Sequence, residues 1–233
     1  MLKKILLVLV VAVGAFLAFA ATRPDTYHVE RSTKVDAPAA VAFAQLEDLK
    51  AWQAWSPWEK RDTQMKKTFE GPSTGVGSSY SWEGNKDVGK GKMSITSAEP
   101  PHLLKLRLEF IEPFAAVAAT EFKLVAEGDK ATSVTWSMDG NNNLIGKVFG
   151  MFINMDQSVG GDFEKGLAGL KTVAEAEAEK QAAAARAKAE ADAAAAAAAK
   201  AKAEAEATAA AEAEEASKSK GKGKRTSKAA DAK

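Results

Sequence analysis

The chain has no cysteine and only two histidines, His28 and His102, among its 233 residues. These absences exclude a disulfide framework, a thiol nucleophile, a Cys-ligated metal and a multi-histidine metal centre. Neither sign of charge prevails: 32 basic residues stand against 31 acidic ones, a net charge of +1. Residues 172–233 contain no aromatic side chain, and apart from Val173 nothing apolar larger than alanine; 29 of those 62 residues are alanine. That stretch cannot build a core. The core must come from residues 27–173, which hold all five tryptophans and are ample for one domain.

What is present begins with Met1-Leu2-Lys3-Lys4 and an unbroken apolar run over residues 5–21. Two readings stay open. A retained membrane helix fits the length of the run, which exceeds the usual ~7–15-residue core of a signal peptide. Cleavage fits the small-x-small sequence Ala18-Phe19-Ala20. In either case Lys3 and Lys4 favour the cytoplasmic side and the rest of the chain lies beyond it, periplasmic if the source is bacterial.

After a linker at 22–26, residues 27–35 read as a strand with Tyr27, Val29 and Val35 on one face and His28 on the polar one. Asp36-Ala37-Pro38 opens a helix, with Asp36 as its cap. The run Trp52-Gln53-Ala54-Trp55-Ser56-Pro57-Trp58-Glu59 then crowds three indoles around a helix exit, because Pro57 biases Ser56 away from helix. Such a junction suits a pocket rim, with Glu59 or Ser56 available to accept from a buried indole N–H. Glycine- and proline-bearing turns separate further strands. The clearest alternation is Leu104, Leu106, Leu108 and Phe110 against Lys105, Arg107 and Glu109. Thr132, Val134, Trp136 and Met138 alternate in the same way.

About seven strands joined by short turns predict an antiparallel sheet with one apolar face. Leu144, Val148, Phe152, Met155, Val159, Phe163, Leu167 and Leu170 recur at three- and four-residue steps, one stripe of a long helix that covers it. Its many glycines imply close backbone approach to the sheet or a helix that flexes. Asn141-Asn142-Asn143 caps its start, while Asn154, Asp156 and Gln157 fall mid-helix on a solvated face.

The order of strand, two short helices, six strands and long helix, together with Trp55-Ser56-Pro57-Trp58-Glu59, Gly75-Val76-Gly77, Tyr80-Ser81-Trp82-Glu83-Gly84 and Trp136-Ser137-Met138, resembles the SRPBCC superfamily. Within it the closest resemblance is to the polyketide cyclase/dehydrase and lipid-transport group, related to START domains. The resemblance implies an α+β helix-grip fold with a deep apolar cavity between a curved sheet and the long helix. Most members bind hydrophobic small molecules there and only some perform chemistry.

Candidate ligand-binding residues are Trp52, Trp55 and Trp58 at the mouth, Tyr80, Trp82, Phe110, Phe122, Trp136 and Met138 on strands, and Met151 and Met155 on the helix. Gly71-Pro72-Ser73-Thr74-Gly75 matches the nucleophile-elbow pattern, but a strand rather than a helix follows it. Glu83, Glu109, Glu121 and Asp139 fall on outward faces, so the register supplies no inward acid or base, and neither catalysis, cofactor nor metal is expected.

The tail reads as an Ala/Glu/Lys spacer over 174–216, helical or disordered, followed by a basic disordered end over 217–233. That end (Lys218, Lys220, Lys222, Lys224, Arg225, Lys228) suits an anionic surface; lacking aromatic partners, it does not favour nucleic acid. The expectation is a monomeric, membrane-tethered binder of a hydrophobic small molecule or lipid. A polyketide-type cyclase or dehydratase and an envelope scaffold are the alternatives.

Overall fold

The computed structural model describes residues 1–152 and 154–227. Its elements are α1 (Leu2–Ala21), β1 (Thr26–Val35), α2 (Ala39–Glu47), α3 (Trp52–Trp55), a single 3-10 turn (Pro57–Lys60), β2 (Lys66–Glu70), β3 (Ser79–Glu83), β4 (Lys90–Glu99), β5 (Leu103–Glu112), β6 (Ala116–Ala126), β7 (Thr132–Asn141), α4 (Leu144–Gly150) and α5 (Met155–Ser227). Contacts divide the chain into two units, residues 1–179 and 180–233.

In the first unit the seven strands form one curved antiparallel sheet in the order β1-β7-β6-β5-β4-β3-β2. Consecutive strands from β2 to β7 pair through short turns; β1 and β2 are opposite edges, joined by the segment that carries α2 and α3. The alternation read from the sequence sets the faces: Val29, Leu104, Leu106, Phe122, Leu124, Val134 and Trp136 are all buried on the inner side. His28 lies on the polar side, as its place in the strand predicts, and its Nδ1 is 2.7 Å from Asp139.

The first part of α5 closes this face through Phe163, Leu167, Leu170 and Ala174, with Val159 partly buried beside them. Two of its glycines explain how it comes so near. A Cβ at Gly169 would stand 2.6 Å from the Trp55 carbonyl oxygen, and one at Gly166 would stand 2.7 Å from the Trp136 ring. Arg31 on β1 fastens the start of the helix, donating to both Asp156 carboxylate oxygens (2.9 and 3.1 Å) and to Glu164 (2.8 Å).

Three local expectations are corrected. The stripe from Leu144 to Leu170 is two helices, not one. Gly150 ends α4, and Asn154 caps α5 by accepting from the Gln157 amide at 3.1 Å, so Asn154 is a cap and Asp156 and Gln157 occupy a first turn. Leu144, Phe152 and Met155 are exposed in consequence. Asn143 caps α4 as expected, through the Gly146 amide. Asp36 does not cap α2, whose N-cap is Pro38; its own amide donates to Glu175 instead.

In the second unit the helix continues to Ser227, supported by i,i+4 pairs such as Lys188–Asp192 at 3.1 Å. Residues 217–227 are thus helical rather than disordered, despite the cost of Gly221 and Gly223 (~1 kcal/mol each). Lys228, named above in the basic end, lies outside the described residues.

Candidate functional site

The space between the sheet and α5 is where the resemblance implies a deep cavity, and along β6 and β7 it is filled with rings. Trp136 stacks on Phe163 at 4.1 Å between centroids with planes 8° apart. Phe122 lies 4.7 Å from Trp136, and Trp52 and Trp55 meet both of them edge-on. Trp52 and Trp55 are therefore core residues, 5% and 2% exposed, and not a rim. Their N–H groups donate to the Leu46 and Gln45 carbonyls, so neither Ser56 nor Glu59 serves them. The reason is the close approach of α5 at Gly166 and Gly169, which places the α3 turn inside the grip. Trp58 is half-buried and sets its ring against Trp136 and Phe163.

Toward β2–β5 the same inner face is less completely covered. On β5, exposure rises from none at Leu104 to half-buried at Leu108 and Phe110. On β3 it rises from buried Tyr80 to half-buried Trp82. Phe69, Tyr80, Trp82 and Phe110 form one aromatic row, with successive centroids 5.0, 6.0 and 6.3 Å apart. The Trp82 N–H is satisfied by the Val88 carbonyl, leaving the ring itself as the surface on offer.

A polar cluster sits against this row. The Tyr80 hydroxyl donates to Glu59 Oε1 at 2.9 Å, and Lys67 pairs with the other Glu59 oxygen. The Glu59 side chain is only 8% exposed. Burial, reinforced by the hydrogen bond to Glu59, pushes the Tyr80 hydroxyl well above the ordinary phenol range, so it stays a donor at any physiological pH. Both carboxylate oxygens are engaged. To act on a guest, Glu59 would have to exchange one partner for it.

Of the residues chosen from sequence, Tyr80, Trp82 and Phe110 come together in the open row, with Trp58 half-buried nearby. Trp52, Trp55, Phe122, Trp136 and Met138 are buried in the core. Met151 lies in the connection between α4 and α5, and Met155, at the start of α5, is exposed. Sequence reasoning missed Glu59, Lys67, Phe69 and Leu108 as parts of one site. The alternation of β2, with Lys67 and Phe69 on the same face and Phe69 opposite Tyr80, carried the signal. It also brings Lys67, and with it Glu59, to the inner face, where the strand registers alone were expected to supply no acid or base.

Two surface grooves flank the grip. One, of about 460 Å³, is lined by Trp55, Pro57, Lys60, Arg61, Asp162 and Lys165 among others, with Asp162 held by Arg61 at 2.7 Å. The other, of about 420 Å³, lies around Phe110, Ile111, Ala116 and Val117 at the β5–β6 turn.

No curated protein matches the chain. Among solved structures it resembles a protein from Chromobacterium violaceum (15% identity, 65% of this chain and 99% of that one, TM-score 0.46). It also resembles the ZhuI aromatase/cyclase from Streptomyces sp. R1128 (14% identity, 64% and 94%, TM-score 0.49). A third likeness is to norcoclaurine synthase from Thalictrum flavum (13% identity, 64% and 86%, TM-score 0.44), solved with dopamine and hydroxybenzaldehyde. The family model described as polyketide cyclase/dehydrase and lipid transport matches residues 26–175, from the first strand to the close of the grip. Covering more than half of the sequence and the whole of the sheet, that match makes the chain a member of the polyketide cyclase/dehydrase and lipid-transport family, an SRPBCC-type helix-grip protein.

Proposed function

We propose that the protein is a membrane-tethered, non-catalytic binder of a hydrophobic small molecule or lipid, and that the guest lies along Leu108, Phe110, Trp82 and Tyr80. One observation carries this reading: the apolar inner face is sealed by stacked rings along β6 and β7 but left half-covered along β3 and β5. Covering such a surface yields roughly 25 cal/mol per Å² of apolar area, and the aromatic faces add shape selectivity. Family membership supports a hydrophobic ligand, and α1 supports the tether, being long and apolar enough to cross a membrane. Lys218, Lys220, Lys222 and Lys224 suit an anionic surface as a secondary contact. The test is mass spectrometry of organic extracts from the purified full chain. A recurrent apolar compound, diminished in a Phe110→Arg variant, supports the reading; clean extracts in repeated preparations count against it.

A second reading, a cyclase or dehydratase for a polyketide-like substrate, is favoured by one specific feature, the Glu59–Tyr80–Lys67 cluster beside the row. In it Tyr80 would donate to a substrate oxygen while Glu59, released from the phenol, accepted a proton. Formation of an aromatised product from a poly-β-ketone analogue, abolished by Glu59→Gln, would establish it. Unchanged analogue would dismiss it.

A further inference from the structure

The two ends of the sheet differ in what they show to solvent. At one end the β4–β5 and β6–β7 turns present Glu99, His102, Glu127, Asp129 and Lys130, with Val76 and Val125 as isolated exposed apolar residues. The other end gathers the start of β1, the β5–β6 turn and the end of β7, as the pairs Thr26–Asn141, Ala118–Gly140 and Phe110–Ala116 fix. There α1 stops and α4 begins. The exposed large apolar side chains there are Ile111 (58%) and Val117 on the strands flanking the β5–β6 turn, Phe114 within it, and Leu144, Ile145 and Phe152 (75%) around α4, with Asp25, Glu112, Asn141 and Asn143 exposed among them.

This apolar end is continuous with α1. The Phe16 ring of α1 lies 6.4 Å from Phe152. Lys147 of α4, with only 10% of its side chain exposed, donates to the Ala21 carbonyl at the end of α1 (3.1 Å) and pairs with Asp25 at 2.5 Å. The Asn142 amide holds the Asp25 carbonyl at 2.7 Å. Residues 22–26, expected to be a linker, are therefore bonded to the domain, and the helix sets the domain's orientation instead of trailing it.

From this we infer that the lipid bilayer crossed by α1 is also the partner of this end of the domain: α4, Phe152 and the β5–β6 turn sit in its interface. The inference rests on reading α1 as a retained membrane helix and adds a second, peripheral contact to it. Exposed apolar residues contiguous with a spanning helix lose the cost of hydration by entering the acyl boundary, as interfacial helices do. The β3–β4 turn is at the same end but farther along the sheet from β1, and its Asn85, Lys86 and Asp87 remain in the aqueous headgroup layer. The groove lined by Lys92, Glu109, Phe110, Ile111 and Val117 lies at the same end of the sheet.

The absence of cysteine makes the test direct. Single cysteines at Phe114, Ile145, Phe152, Asp129 and Val10 are labelled with an environment-sensitive fluorophore in the full chain, reconstituted in phosphatidylethanolamine/phosphatidylglycerol vesicles. Circular dichroism checks that each variant is folded. The expected result is blue-shifted emission and loss of iodide quenching at Phe114, Ile145, Phe152 and Val10, with Asp129 freely quenched. Free quenching at Phe114, Ile145 and Phe152 while Val10 is protected overturns the inference and leaves the anchor standing. Free quenching at Val10 as well removes both.

Discussion

The inner face of this grip has two halves built from the same kinds of residue and covered to different degrees. Along β6, β7 and α5, the Trp136 and Phe163 rings stack, Trp52 and Trp55 meet Phe122 and Trp136 edge-on, and helix glycines let the backbone close over them. Along β3 and β5, Tyr80, Trp82 and Phe110 form a comparable aromatic row with no such lid, and Glu59 and Lys67 bring charge to its side. Aromatic content alone therefore does not tell the filled half from the open one. The difference is whether a helix comes near enough to stack on the rings, and that is decided at Gly166 and Gly169.

The widest separation between the halves is in stability. Trp136→Ala should cost ~3–5 kcal/mol of unfolding free energy, since it opens a hole in a stack that cannot collapse. Phe110→Ala, already half in solvent, should cost less than about 1.5 kcal/mol. Chemical denaturation of both measures the gap, and equal costs would erase the distinction. Next come two glycines on the same helix. Gly169→Ala drives a methyl into the Trp55 backbone and should destabilise by ~1–3 kcal/mol. Gly161→Ala meets nothing within 4 Å and should stabilise by up to ~1 kcal/mol through helix propensity. Opposite signs in thermal melts would show that the lid is held close at Gly169 and not at Gly161.

The smallest effect concerns the hinge end of the lid. The hydrogen bonds from Arg31 hold the Asp156 carboxyl below its usual range. A folded-state pKa below the unfolded one gives stability that is present above about pH 4 and lost as pH falls through the depressed value. Asp156 is exposed to solvent and Arg31 only partly covered, so the pair is screened and the change is modest. Asp156→Asn should remove this component of the acid dependence while leaving the melting temperature near neutral pH only slightly lowered. An unchanged acid limb would show that Arg31 does not steady the helix start.

Much of the architecture was legible because alternation sets the face of each strand and because glycine and proline mark the turns. Leu104 to Phe110 and Thr132 to Met138 lie on the faces their period assigns. The helix break was hidden because Leu144, Phe152 and Met155 keep helical spacing across it; only Gly150 and Asn154, read as a stop and a cap, mark the interruption. The fate of the three indoles was not legible at all. Whether Trp52 and Trp55 form a rim or a core depends on how closely a helix more than a hundred residues later approaches them, and no local pattern encodes that distance. The Glu59–Tyr80–Lys67 cluster needed the β2–β3 register, which pairs Phe69 with Tyr80.

The central claim is that the half-covered row, and not the ring-filled half, receives an apolar guest. Titration of the full chain with a fluorescent polyene fatty acid tests it most directly, comparing the unaltered protein with Phe110→Arg and with Gly161→Ala as a folded control on the helix. The account predicts saturable binding that is lost in Phe110→Arg and kept in Gly161→Ala. Absence of saturable binding to the unaltered chain, or equal binding by all three, would contradict it.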